Sequence, residues 1–156
     1  MLDEIDRLYV FMAEALKEAE LAASQGEVPV GAVIVRNNEI IARGHNMVES
    51  LKDATAHAEM IAIRGAMAYV GGWRLNDCEL YVTLEPCSMC AGAMMLSRVK
   101  RLIYGAPDLK WGCAGTLYNL PRDKRFDHTI DIVAGIEERR CEELLKKFFK
   151  ERRDKN

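Results

Sequence analysis

Apolar residues recur at helical spacing at the start of the chain, and the period of the pattern then changes. Between residues 3 and 24 they stand three or four positions apart, which predicts an amphipathic first helix running to Gly26. Two apolar, β-branched runs follow at residues 28–35 and 39–43, with an Asn-Asn pair between them. Such runs around a turn signal predict a β-hairpin.

The remainder of the chain alternates between helical and strand-like segments. Thr55 is expected to cap the first of the later helices. Strands alternating with helices indicate an α/β domain, with the first hairpin antiparallel and the later crossovers parallel. A length of 156 residues suits one domain over residues 1–156. Helices are predicted at residues 56–69, 88–97 and 137–153, and strands at 78–84, 99–104 and 129–133.

Charge is unevenly distributed although the formal net charge is only −2. Residues 139–156 carry eight Lys or Arg and four Asp or Glu, whereas residues 1–30 carry two and seven. A basic terminal segment is either a solvated helix face or a nucleic-acid contact.

The chain shows neither a secretory signal nor a membrane span. We therefore expect a cytoplasmic location with reduced cysteines and no membrane partner.

The strongest chemical signal is His57-Ala58-Glu59 followed by Pro86-Cys87-Ser88-Met89-Cys90. Zinc accepts two thiolates and one imidazole, and three protein ligands leave its fourth tetrahedral position open for water. H-x-E with P-C-x-x-C is typical of zinc-dependent nucleobase deaminases. The motif therefore predicts one Zn²⁺ held by His57, Cys87 and Cys90, with Glu59 as the catalytic general acid and base.

The sequence alone also permits two other interpretations of these residues. Cys87 and Cys90 could be a redox pair, because C-x-x-C by itself is a weak signal. A purely structural zinc would require a fourth protein ligand, for which His45, Cys113 and His128 are conceivable. The isolated cysteines are interpreted instead as small buried hydrophobic residues: Cys78, Cys113 and Cys141.

The two helices that bear the motif are apolar on most of their surface, notably at residues 60–68 and 91–96. A helix that is apolar nearly all round is buried on more than one side. One side can pack on the sheet and the other requires a cover. A homodimer through these helices is therefore predicted.

Beyond the motif, the chain resembles the bacterial tRNA-specific adenosine deaminases over nearly its whole length. The resemblance implies a three-layer α/β/α cytidine deaminase-like fold, with a mixed five-stranded sheet and helices on both faces. It also implies deamination of adenosine to inosine at the wobble position of a tRNA anticodon stem-loop. The matching segments are residues 28–32, 44–46, 53–59, 80–93, 105–115 and 148–153.

The same resemblance assigns roles to residues outside the metal motif. Asn46 falls on the position that hydrogen-bonds the flipped nucleotide, and Ala58 and Leu84 line its pocket. Asp108 and Lys110 lie in the segment that looks like the family's substrate loop. The last helix is expected to contribute to RNA binding, with flanking anticodon nucleotides held by Phe149, Arg152 and Arg153.

Two residues depart from the family pattern. Ala54 stands where the family usually has Pro, and Trp111 is bulky for the loop after Lys110. One of Phe148 and Phe149 is expected in the core and the other exposed.

Two competing hypotheses for the function are also considered. The first is a free nucleobase or nucleotide deaminase of the guanine, cytosine or cytidine type. The second is a zinc-stabilised RNA-binding subunit without turnover.

Overall fold

The structure is a computed structural model that describes residues 2–155. The first helix begins where Asp3 accepts a hydrogen bond from the backbone N–H of Asp6 at 2.8 Å, an N-cap that satisfies a free donor. The elements, in chain order, are α1 (Glu4–Ser24), β1 (Gly31–Arg36), β2 (Glu39–His45), α2 (Val48–Leu51), α3 (Ala58–Val70), β3 (Cys78–Leu84), α4 (Ser88–Leu96), β4 (Arg101–Ala106), a 3-10 turn (Leu120–Arg122), β5 (Asp131–Ala134) and α5 (Glu138–Asp154).

The five strands form one mixed sheet in the order β2-β1-β3-β4-β5. β1 is antiparallel to both β2 and β3, whereas β3, β4 and β5 are parallel. Asn37 and Asn38 both have positive φ, 52° and 62°, as the tight turn of the predicted hairpin requires. The structure confirms the mixed five-stranded sheet.

Helices cover both faces of the sheet. Val33 and Tyr81 point from their strands toward α1, while Ile34 and Leu80 point toward α3 and α4 on the other face. This alternation follows from the period of two along a strand. On the α1 side, α5 packs through Cys141 against the end of the sheet. The three-layer α/β/α arrangement is therefore confirmed.

The start of α3 lies very close to the edge hairpin. A Cβ at Gly44 on β2 would collide with the carbonyl oxygen of Ala58 and would lie 2.8 Å from the backbone nitrogen of Ala62. Only glycine permits so close an approach between strand and helix. This contact fixes the position of the first turn of α3, directly after His57.

The predicted helix cap at Thr55 is wrong. The helix begins at Ala58, with His57 as the N-cap residue. The Thr55 backbone N–H and hydroxyl both donate to Asp53 Oδ1, at 2.8 and 2.7 Å. Thr55 thus belongs to a turn that precedes the helix, because a local side-chain to backbone bond competes with capping.

Within residues 2–155, no helix combines the length and the apolar character that crossing a membrane requires.

Candidate metal centre and cleft

The three predicted zinc ligands meet at the starts of two helices. His57 is the N-cap of α3, Cys87 is the N-cap of α4, and Cys90 lies in the first turn of α4. His57 Nδ1 lies 3.6 Å from Cys87 Sγ and 3.5 Å from Cys90 Sγ. Tetrahedral bonds of usual Zn–S and Zn–N length would place nitrogen and sulfur about 3.6 Å apart. The three side chains therefore fit one zinc ion.

Among the residues that the structure describes, no fourth His, Cys, Asp or Glu side chain joins this site. Across residues 2–155, His57, Cys87 and Cys90 are the one group of His, Cys, Asp or Glu side chains close enough together to hold a metal. His45 contacts Gln25 and Glu18, and His128 contacts the Val99 carbonyl oxygen. A three-ligand centre corresponds to a catalytic zinc, with one position open to substrate or water.

The surroundings of the two cysteine sulfurs alter the pKa values of their thiols. A hydrogen bond from Cys90 lowers the pKa of the Cys87 thiol to about 4, and the contact with His57 adds to this effect. The same Cys87 contact, together with burial, raises the pKa of Cys90. Cys87 is therefore a thiolate at neutral pH. Zinc binding favours loss of the second proton, because the metal takes both sulfurs as thiolates.

Glu59 lies in the first turn of α3, two residues after His57, and is only 4% exposed. Burial raises the pKa of its carboxyl to about 7, although a hydrogen bond from its own backbone N–H and the positive charge of the nearby His57 oppose the shift. A carboxyl with this pKa can both accept and donate protons near neutrality. Glu59 lines the same cleft as His57 and Cys87.

A cleft of about 870 Å³ opens above these residues. Its walls come from the segment before α3, the loop after β4 and the last helix. The structure brings together six of the eight residues predicted to bind substrate; Asn46, Ala58, Leu84, Asp108, Lys110 and Phe149 all line this cleft.

Arg152 and Arg153 do not line the cleft and lie exposed in the last turn of α5. They follow Phe149 along the same helix, beyond its contact with the cleft.

The expectation that one of Phe148 and Phe149 lies in the core is wrong. Phe149 is 41% exposed, and Phe148 is partly buried between its neighbour and the Arg152 guanidinium, outside the core clusters.

Glu85, which sequence reasoning missed, holds the loop that follows β4. It is 2% exposed and accepts hydrogen bonds from the backbone N–H groups of Asp108, Ala114 and Thr116 at 3.0 to 3.1 Å. The Thr116 hydroxyl donates to it as well. One buried carboxylate therefore satisfies donors from both ends of the loop. Its signal in the sequence is an acidic residue between a buried strand and the Pro-Cys motif.

Glu27 performs the corresponding task at the opposite wall and was also missed. It is fully buried and accepts hydrogen bonds from the backbone N–H groups of Glu49 and Ser50, at 3.0 and 2.6 Å, and from the Ser50 hydroxyl. These contacts attach α2 to the segment before β1. Asn46 and Val48, at the start of this region, line the cleft.

The isolated cysteines are buried, as predicted: Cys78, Cys113 and Cys141. Burial raises the pKa of Cys78 to about 11 and that of Cys141 to about 12, so neither is a thiolate at neutral pH. Such thiols behave as small apolar side chains.

Comparison with known proteins agrees with this geometry. The model of the cytidine and deoxycytidylate deaminase zinc-binding region matches residues 6–106. The tRNA-specific adenosine deaminase of Bacillus subtilis (strain 168) is 53% identical over 150 residues, which cover 96% of this chain and 92% of the relative.

Two solved structures are also similar to this chain. One, from a study of A-to-I editing by tRNA:A34 deaminases, is 43% identical with a TM-score of 0.84 and covers 87% of this chain and 99% of its own. A guanine deaminase from Bacillus subtilis is 35% identical with a TM-score of 0.63, covering 85% of each chain. Together with the His57, Cys87 and Cys90 centre, these similarities show that the chain belongs to the tRNA-specific adenosine deaminases, within the zinc-dependent cytidine and deoxycytidylate deaminase family.

Proposed function

We propose that this protein converts adenosine to inosine at the wobble position of a tRNA anticodon by zinc-dependent hydrolysis. The observation that carries the proposal is the shared cleft: Glu59, His57 and Cys87 line it together with three of the expected substrate residues, Asn46, Lys110 and Phe149. A single flipped base can reach the ligands while its neighbours remain along the walls. The relatives at 53% and 43% identity support the same substrate class.

The reaction adds water to the ring carbon that bears the amine and releases ammonia. When bound, zinc lowers the pKa of water to about 7 and so supplies the nucleophile. The Glu59 carboxylate accepts one proton from the attacking water and passes it to the ring nitrogen. It then transfers the remaining hydroxyl proton to the amine, which departs as ammonia and leaves inosine.

The cleft walls are suited to hold the nucleotide. Asn46 is 9% exposed, and its side-chain amide offers both a donor and an acceptor to the flipped nucleotide. Ala58 and Leu84 supply small apolar surface to the base. Asp108 and Lys110 lie on the wall formed by the loop after β4, where Lys110 can meet a phosphate.

The last helix extends the same surface for a longer RNA. Phe149 provides an aromatic face at the cleft, and Arg152 and Arg153 place two cations further along α5. Aromatic faces stack on splayed bases, and arginines bind phosphates. We assign these residues to the nucleotides that flank the edited one. A tRNA substrate also agrees with a cytoplasmic location, which the free cysteines support.

The decisive test is zinc-loaded protein with an anticodon stem-loop that carries a wobble adenosine, assayed beside free adenosine, cytosine and guanine. Inosine in the stem-loop alone is expected. Turnover of a free base without turnover of the stem-loop would replace the proposal with a free nucleobase deaminase. Glu59→Gln should retain zinc and the fold yet lose deamination. A zinc-replete variant with undiminished turnover would contradict the role of Glu59.

Salt dependence separates an RNA substrate from a small one. Binding of the stem-loop should weaken steeply as the salt concentration rises, because releasing counterions from the RNA into a more concentrated salt solution gains less entropy. Turnover of a neutral free base should change little. Tight binding of the stem-loop without any inosine would indicate an RNA-binding subunit without turnover.

A homodimer remains our proposal for the assembly. α4 exposes Leu96 at 76% and leaves Met89 and Ala93 only partly covered. Leu117 and Tyr118, on the loop after β4, are 51% and 69% exposed. Apolar surface of this kind marks an interaction site. Sedimentation should show a dimer at micromolar concentration, and a stable monomer there would contradict it.

A further inference from the structure

The indole of Trp111 projects from the loop after β4 at the cleft that His57 and Cys87 line. Trp111 is 68% exposed and belongs to none of the core clusters, yet it lines the cleft together with Phe149. A large exposed aromatic side chain beside a binding site marks a contact surface. Lys110, the residue before it, lines the same cleft, so the cleft carries both an aromatic side chain and a cation from this loop.

The backbone that carries Trp111 is held on both sides. Asp108 Oδ1 accepts hydrogen bonds from the backbone N–H groups of Lys110 and Trp111, at 3.0 and 3.1 Å. Glu85 binds the backbone N–H groups of Asp108 and Ala114, which lie on either side of Trp111 along the chain. Because this backbone is already fixed, only the side-chain torsions of Trp111 have to be ordered when a ligand stacks on the indole.

We propose that Trp111 stacks on the base of a nucleotide adjacent to the edited adenosine and thereby contributes to substrate specificity. This inference rests on the proposed RNA substrate and assigns one more residue to it. Only one base enters the cleft, so the neighbouring nucleotides must pass along its rim. Trp111 offers an indole face there, and every base has a π-face that can stack on it.

A free nucleobase would not need this contact. Such a substrate occupies the floor near Glu59 and has no neighbouring nucleotide to meet Trp111. The adjacent Lys110 also favours a polyanion, since its ammonium can bind the phosphate that links the two nucleotides. A contact between protein subunits is the other use of an exposed tryptophan, and the experiments separate the two.

Tryptophan fluorescence can report stacking directly, because the chain has only two tryptophans, Trp73 and Trp111. Trp73 lies outside this cleft, in a depression with Arg36 and Asp77, and the Arg74 guanidinium stands 4.4 Å from its ring centre. Trp73→Phe therefore leaves Trp111 as the one indole reporter. Combining it with Glu59→Gln prevents turnover during a titration.

The anticodon stem-loop with a wobble adenosine should quench Trp111 emission in this double variant as it saturates. Stem-loops with an abasic residue before or after the wobble position are the controls. One of the two should bind with most of the emission retained. Unchanged emission at saturating stem-loop, or full quenching by both abasic stem-loops, would overturn the proposal.

Kinetics supply the second measurement, in the catalytically intact protein. Trp111→Ala should raise the KM for the stem-loop by about 5- to 150-fold with little change in kcat, the range expected for losing one stacked base. Trp111→Phe should recover most of the loss, whereas Trp111→Leu should recover little. Trp73→Phe should leave both constants unchanged.

Three outcomes count against stacking while the proposed function stands. They are an unchanged KM in Trp111→Ala, full rescue by Trp111→Leu, and conversion of a dimer to a monomer by Trp111→Ala in sedimentation at assay concentration. The last would make Trp111 a subunit contact. Failure of the proposed function is seen separately, because the unaltered protein would then form no inosine in any stem-loop.

Discussion

Gly112 packs directly against the buried carboxyl group of Glu85. A Cβ at position 112 would lie 2.5 Å from the Glu85 carboxyl carbon and would also collide with the Asp108 carbonyl oxygen. The loop after β4 can therefore wrap around the carboxylate only with a glycine at this point. The contact connects a residue next to the metal motif with the wall that faces the substrate.

Gly112→Ala should displace this loop and raise the KM for the stem-loop. Forcing a methyl group into this space should also destabilise the fold by about 1–3 kcal/mol. Thermal unfolding and steady-state kinetics measure the two effects, while the zinc content should remain near one per chain. Gly72→Ala is a matched control, since a Cβ at Gly72 meets no atom within 4 Å. Equal behaviour of the two variants would contradict the packing argument.

Gly44→Ala should weaken zinc binding although Gly44 is no ligand. Its new methyl group would push on the Ala58 carbonyl and the Ala62 nitrogen, which are backbone atoms of α3 and cannot rotate away. The first turn of α3 would shift, and His57 with it. Zinc retained on dialysis against a competing chelator is the measurement.

The control for Gly44 lies on the same helix-to-strand contact. A Cβ at Gly65 on α3 would lie 3.2 Å from the Ala42 Cβ, a contact that a small adjustment can relieve. Gly65→Ala should therefore retain zinc as well as the unaltered protein does. Loss of zinc in both variants to the same extent would refute a specific role for Gly44.

Glu27→Gln should destabilise the protein at neutral pH and much less in acid. Burial raises the pKa of the Glu27 carboxyl, but the hydrogen bonds from Ser50 and the backbone of Glu49 outweigh it and lower the pKa below 4.5. A carboxyl with a lowered folded pKa stabilises the fold above its unfolded pKa, and this contribution is lost as pH falls through the folded value. Weakening these bonds should cost about 1–3 kcal/mol at pH 7.

Urea unfolding of both proteins between pH 7 and pH 3.5 tests this dependence. The difference in unfolding free energy between them is the quantity to compare, because proton competition at the zinc ligands is common to both. The difference should shrink as pH falls below about 4.5. A difference that stays constant over the whole range would show that the charge of Glu27 does not contribute.

Removal of zinc should abolish deamination and lower the melting temperature. Chelation withdraws the ion that joins the starts of α3 and α4, and binding free energy is then lost from the folded state. Added zinc should restore both properties, whereas magnesium should restore neither, since it prefers oxygen ligands to thiolates. A melting temperature unaffected by chelation would contradict this coupling.

The sequence predicted the metal centre fully because its information is local. His57, Cys87 and Cys90 lie in two short motifs, and the chemistry of zinc limits which side chains can act as ligands. The helices and strands were also found close to their observed positions, since apolar periodicity records which face of each element is buried. The predicted helix cap at Thr55 was wrong because the Asp53 carboxylate, two residues earlier, accepts the hydrogen bonds of Thr55.

The structural roles of Glu27 and Glu85 could not be read from the sequence. Each carboxylate binds backbone donors more than twenty residues away, and no local pattern announces such contacts. The position of Arg152 relative to the cleft is likewise set by how α5 packs on the sheet. The role of a side chain that binds distant backbone groups can be assigned only from the tertiary structure.

The placement of zinc ligands at helix N-caps has a consequence for how the protein is made. His57 and Cys87 occupy positions where a side chain ordinarily caps a helix, and neither makes such a hydrogen bond. They are thirty residues apart, and β3 must join the sheet before they can meet. We therefore expect the newly synthesised chain to capture its metal late, once the central strands are paired, so the ion secures a fold already largely formed.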